Sequence, residues 1–294
     1  MQRVVEIADR AVHLALTRGF MVVKEDGEEI ARIPLDDLAC VLLTGRQSSL
    51  STAVLHAMME HNIPVVIIGA NYHPSGLLLP TVGHFASKQR LDWQIAATEP
   101  FKKRIWQQIV QVKIRHQATV LQRYTGADHG LTAMATQIDS GDPQNREAQA
   151  ARVYWQKLFG ADFRRHADDA VNAALNYGYA VIRACVARQL VACGLLPALG
   201  IHHDNIENPF CLADDVVEPF RPCVDDLVFR LRRDGFSELT PQIKKDLAAI
   251  LTIDVMVAGQ TSILANAILT CCQSLARAFE VKEPQITLPR FGEI

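Results

Sequence analysis

Three short segments carry the residue types that metal-assisted chemistry needs. The first is Asn145-Arg146-Glu147-Ala148-Gln149-Ala150-Ala151-Arg152-Val153-Tyr154-Trp155, with Glu147 in the first turn of a helical pattern. The second is Leu199-Gly200-Ile201-His202-His203-Asp204-Asn205, which places two histidines beside an acid and a glycine in a loop between long apolar stretches. The third is Leu212-Ala213-Asp214-Asp215-Val216-Val217-Glu218-Pro219-Phe220-Arg221-Pro222. Here Asp215 and Glu218 stand at i and i+3, and Asp214 and Glu218 at i and i+4, so carboxylates gather on one helix face. Each segment has an ordinary reading by itself: an acid complements the dipole at a helix start, and an acidic turn is often solvent-facing. Adjacent residues point in different directions, so one of His202 and His203 faces a given site. Together the segments offer the oxygen and nitrogen donors that hold Mn²⁺ or Mg²⁺. Such an ion polarises a phosphodiester and activates a hydroxyl nucleophile.

The elements that must position these residues fall into two parts. Val4–Ile7, Ala11–Leu16, Phe20–Val23, Ile30–Ile33, Leu38–Leu43 and Pro64–Gly69 read as strands, with Asp26-Gly27 as a hairpin turn. One helix begins at the Ser51-Thr52 cap, with Val54, Leu55, Met58 and Met59 at helical spacing. After Gly83 the period is helical almost to the end: about 85–97, 99–124, 146–159, 167–193, a Pro-kinked stretch 212–233, 241–250 and 261–279. The expected architecture is α+β: a β-rich domain 1–80, a linker 81–88, and an all-α-helical catalytic domain 89–294.

The 294 residues are 49% hydrophobic and 21% charged, an ordinary globular balance that excludes disordered and collagen-like classes. No apolar run reaches the ~18 residues of a membrane span. An acidic residue stands where a signal peptide needs apolar ones, so a cytoplasmic location without membrane contact is expected. The seven cysteines include no C-x-x-C pair and read as buried thiols. Net charge is −2, but it is segregated. From Phe85 to Thr125 eight basic residues face only Asp92 and Glu99, a net +6, whereas residues 1–75 hold six basic and nine acidic residues, a net −3. Lys88, Arg90, Lys102, Lys103, Arg104, Arg146, Arg164 and Arg165 are therefore candidates for sequence-independent phosphate contacts. Trp155, Tyr177 and Tyr179 read first as core aromatics.

The three segments together resemble the CRISPR adaptation integrase family, CRISPR-associated protein 1. The similarity lies in Glu147 with its Ala-Arg-x-Tyr-Trp continuation, the Gly200-Ile201-His202-His203 loop, and Asp215 to Pro222. Ile33–Leu38 and Ile63–Ile67 resemble the family's β domain, so the likeness spans nearly the whole chain. The double-histidine loop and the Leu-Ala-Asp-Asp run look most like the type II branch. Val216-Val217 departs from the commoner Leu-Met, an apolar exchange that affects packing. The resemblance places metal-binding and catalytic roles on Glu147, His203 and Glu218, and Asp215 matches a nearby acidic position as a second ligand or a support; His202 is a further supporting candidate. It implies spacer acquisition: a prespacer 3′-hydroxyl attacks a phosphodiester at the leader–repeat boundary of the CRISPR array, with Mg²⁺ or Mn²⁺ as cofactor. It also implies a homodimer through the β domain and a dimer of CRISPR-associated protein 2. In the type II branch, an effector nuclease and a ring-shaped accessory DNA-binding protein join as partners. Two other readings use the same residues: a metal-dependent endonuclease with water as nucleophile, and a DNA-binding scaffold without catalysis.

Overall fold

The computed structural model describes residues 3–8, 10–69, 74–81 and 84–291, arranged in two compact units, Met1–Gly83 and His84–Ile294. Residues 82 and 83 of the expected linker lie outside the described residues.

Among its described residues, the first unit holds two four-stranded sheets. In one, β1 (Arg3–Ile7), β5 (Leu38–Leu43) and β7 (Val65–Ile68) run parallel, and β8 (Pro74–Leu78) is antiparallel to β7. Val41 is paired with Val5 on one side and Val65 on the other. In the other, β2 (Val12–Thr17), β3 (Phe20–Glu25) and β4 (Glu28–Pro34) form an antiparallel meander, flanked by the short β6 (Ser49–Leu50). Asp26 and Gly27 both have positive φ, the two-residue turn whose twist matches the strands it joins. A continuous apolar run suits a strand with neighbours on both sides, and β5 is buried along nearly its whole length. The crossover into β7 is α1 (Thr52–Glu60), whose first turn is capped by Ser51 Oγ accepting from the Val54 amide at 3.3 Å. Leu14, Met21, Val41, Val54, Met58 and Val65 meet in the core of this unit.

The second unit comprises α2 (Ser87–Ile95), α3 (Glu99–Thr125), α4 (Leu131–Thr136), α5 (Arg146–Phe159), α6 (Ala170–Ala192), α7 (Cys211–Val217), α8 (Arg221–Arg233), α9 (Pro241–Ala248) and α10 (Leu264–Val281). Helix α3 starts where Thr98 caps it and Pro100 pre-sets its first turn, and it stops at Gly126 in the left-handed conformation. Its inward face carries Ile105, Ile109, Val110, Ile114 and Leu121. Helix α6 is buried almost all round, as its mostly apolar composition requires, and its few polar side chains include Asn172 and Arg183, which find partners outside the helix. Between α7 and α8 the chain tightens into a 3₁₀ turn, Glu218–Phe220, because Pro219 has no amide hydrogen to continue the α-helical ladder. The helical unit also contains an antiparallel hairpin, β9 (Asp254–Val257) and β10 (Gln260–Ile263), turned by Ala258 and Gly259 at positive φ. The last helix accordingly begins at Leu264, not Thr261. All seven cysteines are free and buried.

Candidate functional site

Glu147, His203 and Glu218 come from three segments, and each is fixed by a different local device. Glu147 lies in the first turn of α5. Asp142, itself buried, caps that turn by accepting from the amides of Arg146 (2.9 Å) and Glu147 (3.0 Å). Glu218 opens the 3₁₀ turn, and the next carbonyl, that of Pro219, faces the ring of buried His116 of α3 at 2.7 Å.

His203 sits in the loop between α6 and α7, and Asp215 builds that loop. The Asp215 side chain is fully buried and accepts four hydrogen bonds. Three come from the backbone amides of Ile201 (2.5 Å), His202 (3.0 Å) and His203 (3.0 Å), and one from His203 Nδ1 at 2.7 Å. With Nδ1 bonded to a carboxylate, His203 keeps Nε2 for an outside partner, the usual second contact of a metal-binding histidine. That hydrogen bond outweighs partial burial and raises the His203 pKa above its ordinary value. Gly200 is required because a Cβ there would strike the His203 carbonyl oxygen and approach Cys211 Cβ at 2.9 Å and Asp215 Oδ2 at 3.1 Å. His202 stacks on the buried indole of Trp106 (ring centroids 4.1 Å apart, planes 2° apart), and the His203 ring meets the same indole edge-on.

The three acids of the third segment therefore diverge. Asp214 takes a two-point contact from Arg183 (Nε–Oδ1 2.6 Å, Nη2–Oδ2 2.9 Å) and a bond from Asn208. Asp215 braces the histidine loop. Only Glu218 turns toward Glu147.

The two glutamates meet at Lys113 of α3. Its Nζ lies 2.5 Å from Glu147 Oε1 and 2.5 Å from Glu218 Oε2, with a side chain only 12% exposed. Arg221 adds a second cation, its Nε 2.9 Å from Glu218 Oε1. Glu218 Oε2 is buried and within ion-pair range of the ammonium, yet out of line for a hydrogen bond. Burial pushes the Glu218 carboxyl upward, but Arg221 and Lys113 outweigh it and its pKa is lowered. For Lys113 burial works against the charge, and Glu218 and Glu147 overcome it, so the ammonium is held above its ordinary value. His203 and Glu218 are near enough to favour each other's charged forms. Among the described residues no three His, Cys, Asp or Glu side chains stand ready to hold an ion as placed; an ammonium lies between the two carboxylates. The donor set itself, two carboxylates and a carboxylate-braced imidazole, fits Mn²⁺ or Mg²⁺.

Beside Glu218, Arg221 lies over the Tyr179 ring at 4.7 Å, and Arg165 packs against the same ring at 5.1 Å. The Tyr179 and Tyr154 hydroxyls both donate to buried Asp225. Tyr177 and Tyr179 are thus core residues, and half-buried Trp155 packs among Phe159 and Phe163.

The basic candidates divide by their local partners. Lys88 pairs with Asp92 at 2.6 Å, Arg90 donates to the Cys193 carbonyl, and Arg165 donates to Asn172 and Asn176. Lys102 lies 3.7 Å from Glu99. Lys103 and Arg104 are exposed on α3, and exposed Arg164 donates to nearby carbonyls. Arg146 is half-buried, with its Nε unbonded. Sequence patterning shows Lys113 only as part of the basic stretch and leaves Asp142 and Trp106 unmarked. A charge sum does not say which face of a helix a lysine occupies. The available signal is Lys113's place on the apolar stripe, four residues after Ile109.

Comparison with known proteins settles the family. The model of CRISPR associated protein Cas1 matches residues 5–256. The chain belongs to the Cas1 family. The CRISPR-associated endonuclease Cas1 of Neisseria meningitidis serogroup C is 41% identical over 252 residues, covering 84% of this chain and 82% of that protein. A Cas1 endonuclease of Pyrobaculum aerophilum is 32% identical over 271 residues, covering 84% and 88%. Two solved structures share the fold. A casposase bound to integration product has a TM-score of 0.82 at 19% identity, over 97% of this chain and 92% of that one. A Cas1 protein from Thermotoga maritima has a TM-score of 0.76 at 16% identity, over 99% of both chains. The β-rich unit followed by a helical unit is the Cas1 fold.

Proposed function

We propose that this Cas1 protein is a spacer-acquisition integrase, joining prespacer 3′-hydroxyls to the repeat ends of a CRISPR array by transesterification. The observation that carries this reading is the meeting of Glu147 and Glu218 at one cation, with a histidine, its Nδ1 anchored on Asp215, close enough to Glu218 for their charges to interact. Glu147, Glu218 and His203 Nε2 would hold Mg²⁺ or Mn²⁺. When bound, the ion supplies charge stabilisation at phosphorus and lowers the pKa of the attacking hydroxyl. The chain's own residues orient the site. Asp142 fixes the helix start that carries Glu147, Asp215 and Trp106 hold the histidine loop, and Arg221 keeps Glu218 ionised. Exposed Lys103, Arg104 and Arg164 offer phosphate contacts without sequence information.

The partners follow from the same reading: prespacer and leader–repeat DNA, a second copy docked through the β unit, and a CRISPR-associated protein 2 dimer. A casposase with integration product and a Cas6-RT-Cas1–Cas2 complex among proteins of this fold agree with DNA and such a partner. The double-histidine loop favours the type II branch, with its effector nuclease and ring-shaped accessory protein, in the cytoplasm. Among the described residues no helix is long and apolar enough to cross a membrane.

The test is product analysis with labelled DNA ends. Joined strands from 3′-hydroxyl ends, and none from 3′-deoxy ends, are expected with Mg²⁺ or Mn²⁺. Cut strands without joined product under all conditions would leave a hydrolytic endonuclease instead.

A further inference from the structure

We infer that Lys113 is a built-in placeholder cation, occupying the point between Glu147 and Glu218 that a divalent ion must take, and leaving it when the ion enters. This rests on the metal-site reading above and goes beyond it, because it assigns the metal-free state and its exchange to one side chain. The geometry is direct: one ammonium nitrogen lies 2.5 Å from an oxygen of each glutamate. A metal–oxygen bond of ~2.0–2.3 Å to the same two carboxylates would put the ion where Nζ now sits.

Charge balance points the same way. Two glutamate carboxylates face two cations, Lys113 and Arg221, so their charges are matched as the site stands. That lets two acids from separate segments stay together in a largely buried place, where unpaired they would repel one another. Adding a divalent ion with Lys113 in place would set like charges within a few ångströms of each other in a poorly solvated pocket. Arg221 can stay, because it approaches Glu218 through Oε1 whereas Lys113 approaches through Oε2. Lys113 has a long, flexible stem on α3 and can swing away without moving the helix. An ion that binds only the lysine-displaced state has its apparent affinity reduced by the fraction of time that state is open.

The experiment measures Mn²⁺ binding alone to the full chain, by the electron paramagnetic resonance signal of free Mn²⁺, with no DNA and no turnover. Wild type, Lys113→Met and Lys113→Gln are compared, with Glu147→Gln and Glu218→Gln as controls. If Lys113 competes with the ion, both lysine variants bind Mn²⁺ at least about tenfold more tightly at unchanged stoichiometry. Both should also gain more thermal stability from Mn²⁺ than wild type does. Equal or weaker binding in variants that circular dichroism shows to be folded would overturn the placeholder role and leave Lys113 a fixed structural cation. Should both variants misfold, wild type decides: the Lys113 Cε resonance, assigned through Lys113→Arg, must shift on Mg²⁺ addition, and an unshifted resonance overturns the inference. Failure of the underlying reading looks different. In that case wild type itself would show no Mn²⁺ binding that Glu147→Gln and Glu218→Gln abolish.

Discussion

Replacing Asp215 by Asn separates a brace from a ligand. The carboxylate accepts two hydrogen bonds on each oxygen: the Ile201 and His202 amides on Oδ2, the His203 amide and Nδ1 on Oδ1. An amide of the same shape keeps one accepting oxygen and turns an NH₂ group toward the other two donors. Two donors then have no acceptor, at about 1–3 kcal/mol each, so Asp215→Asn should cost about 2–6 kcal/mol. The protein should stay folded, since domains have about 5–15 kcal/mol in hand, with a melting temperature lowered by roughly 5–15 °C. Strand transfer should fall at least about tenfold as His203 loses its anchor, in line with losses at outer-shell partners of metal-binding histidines. The assays are a thermal melt by circular dichroism and a gel readout of strand joining. If Asp215 were instead a direct ligand, Asp215→Asn would abolish Mn²⁺ binding and leave the melting temperature unchanged, and the bracing role would be refuted.

Gly200→Ala should lower both the melting temperature and strand transfer, because its Cβ has no room beside the His203 carbonyl and the loop must shift; a crystal structure of the variant would show the displaced histidine. Burial pushes the Asp225 carboxyl up to about 7 against the pull of the Tyr179 and Tyr154 hydroxyls. Its folded value lies above the unfolded one, so stability is fullest at low pH and is lost as pH rises toward about 7. Denaturant unfolding should therefore show wild type more stable at pH 5.5 than at pH 8, by about 1–2 kcal/mol, and Asp225→Asn should remove most of that difference. If α3 tracks a DNA backbone, neutralising Lys102, Lys103 and Arg104 together should weaken binding equally for unrelated sequences. The salt slope should also flatten, by about 0.9 for each phosphate that the variant no longer neutralises. Unchanged affinity and slope would move the DNA path elsewhere.

Much of this molecule is readable from local signals, and what is not has a common cause. Helix α3 runs from its Thr98 cap to its Gly126 stop because both ends are written in residue chemistry. The two-sheet unit follows from alternating and continuous apolar runs punctuated by Asp26-Gly27 and Pro34. Helix α4, six residues opened by a left-handed glycine, is too short to show a period. The β9–β10 hairpin lies in a largely apolar stretch running on into the last helix, where the Ala258-Gly259 turn is a weak break. At the site, the residue types are visible in the sequence but not their directions. Asp214, Asp215 and Glu218 share a helix neighbourhood and yet face Arg183, the histidine loop and Lys113 respectively. Those directions depend on which cation or amide each acid finds across the fold, and that information lies in residues far away along the chain.

The proposed chemistry turns on Glu147, Glu218 and His203 forming one divalent-metal site. Anomalous diffraction at the manganese edge, from crystals of the protein grown with Mn²⁺, puts this to the proof. A single peak is expected, bounded by a Glu147 oxygen, a Glu218 oxygen and His203 Nε2 at about 2.0–2.3 Å, with Asp215 still bonded to the histidine loop. A peak held by Asp214 or Asp215, or one that persists at the site in Glu147→Gln and Glu218→Gln crystals, would contradict it.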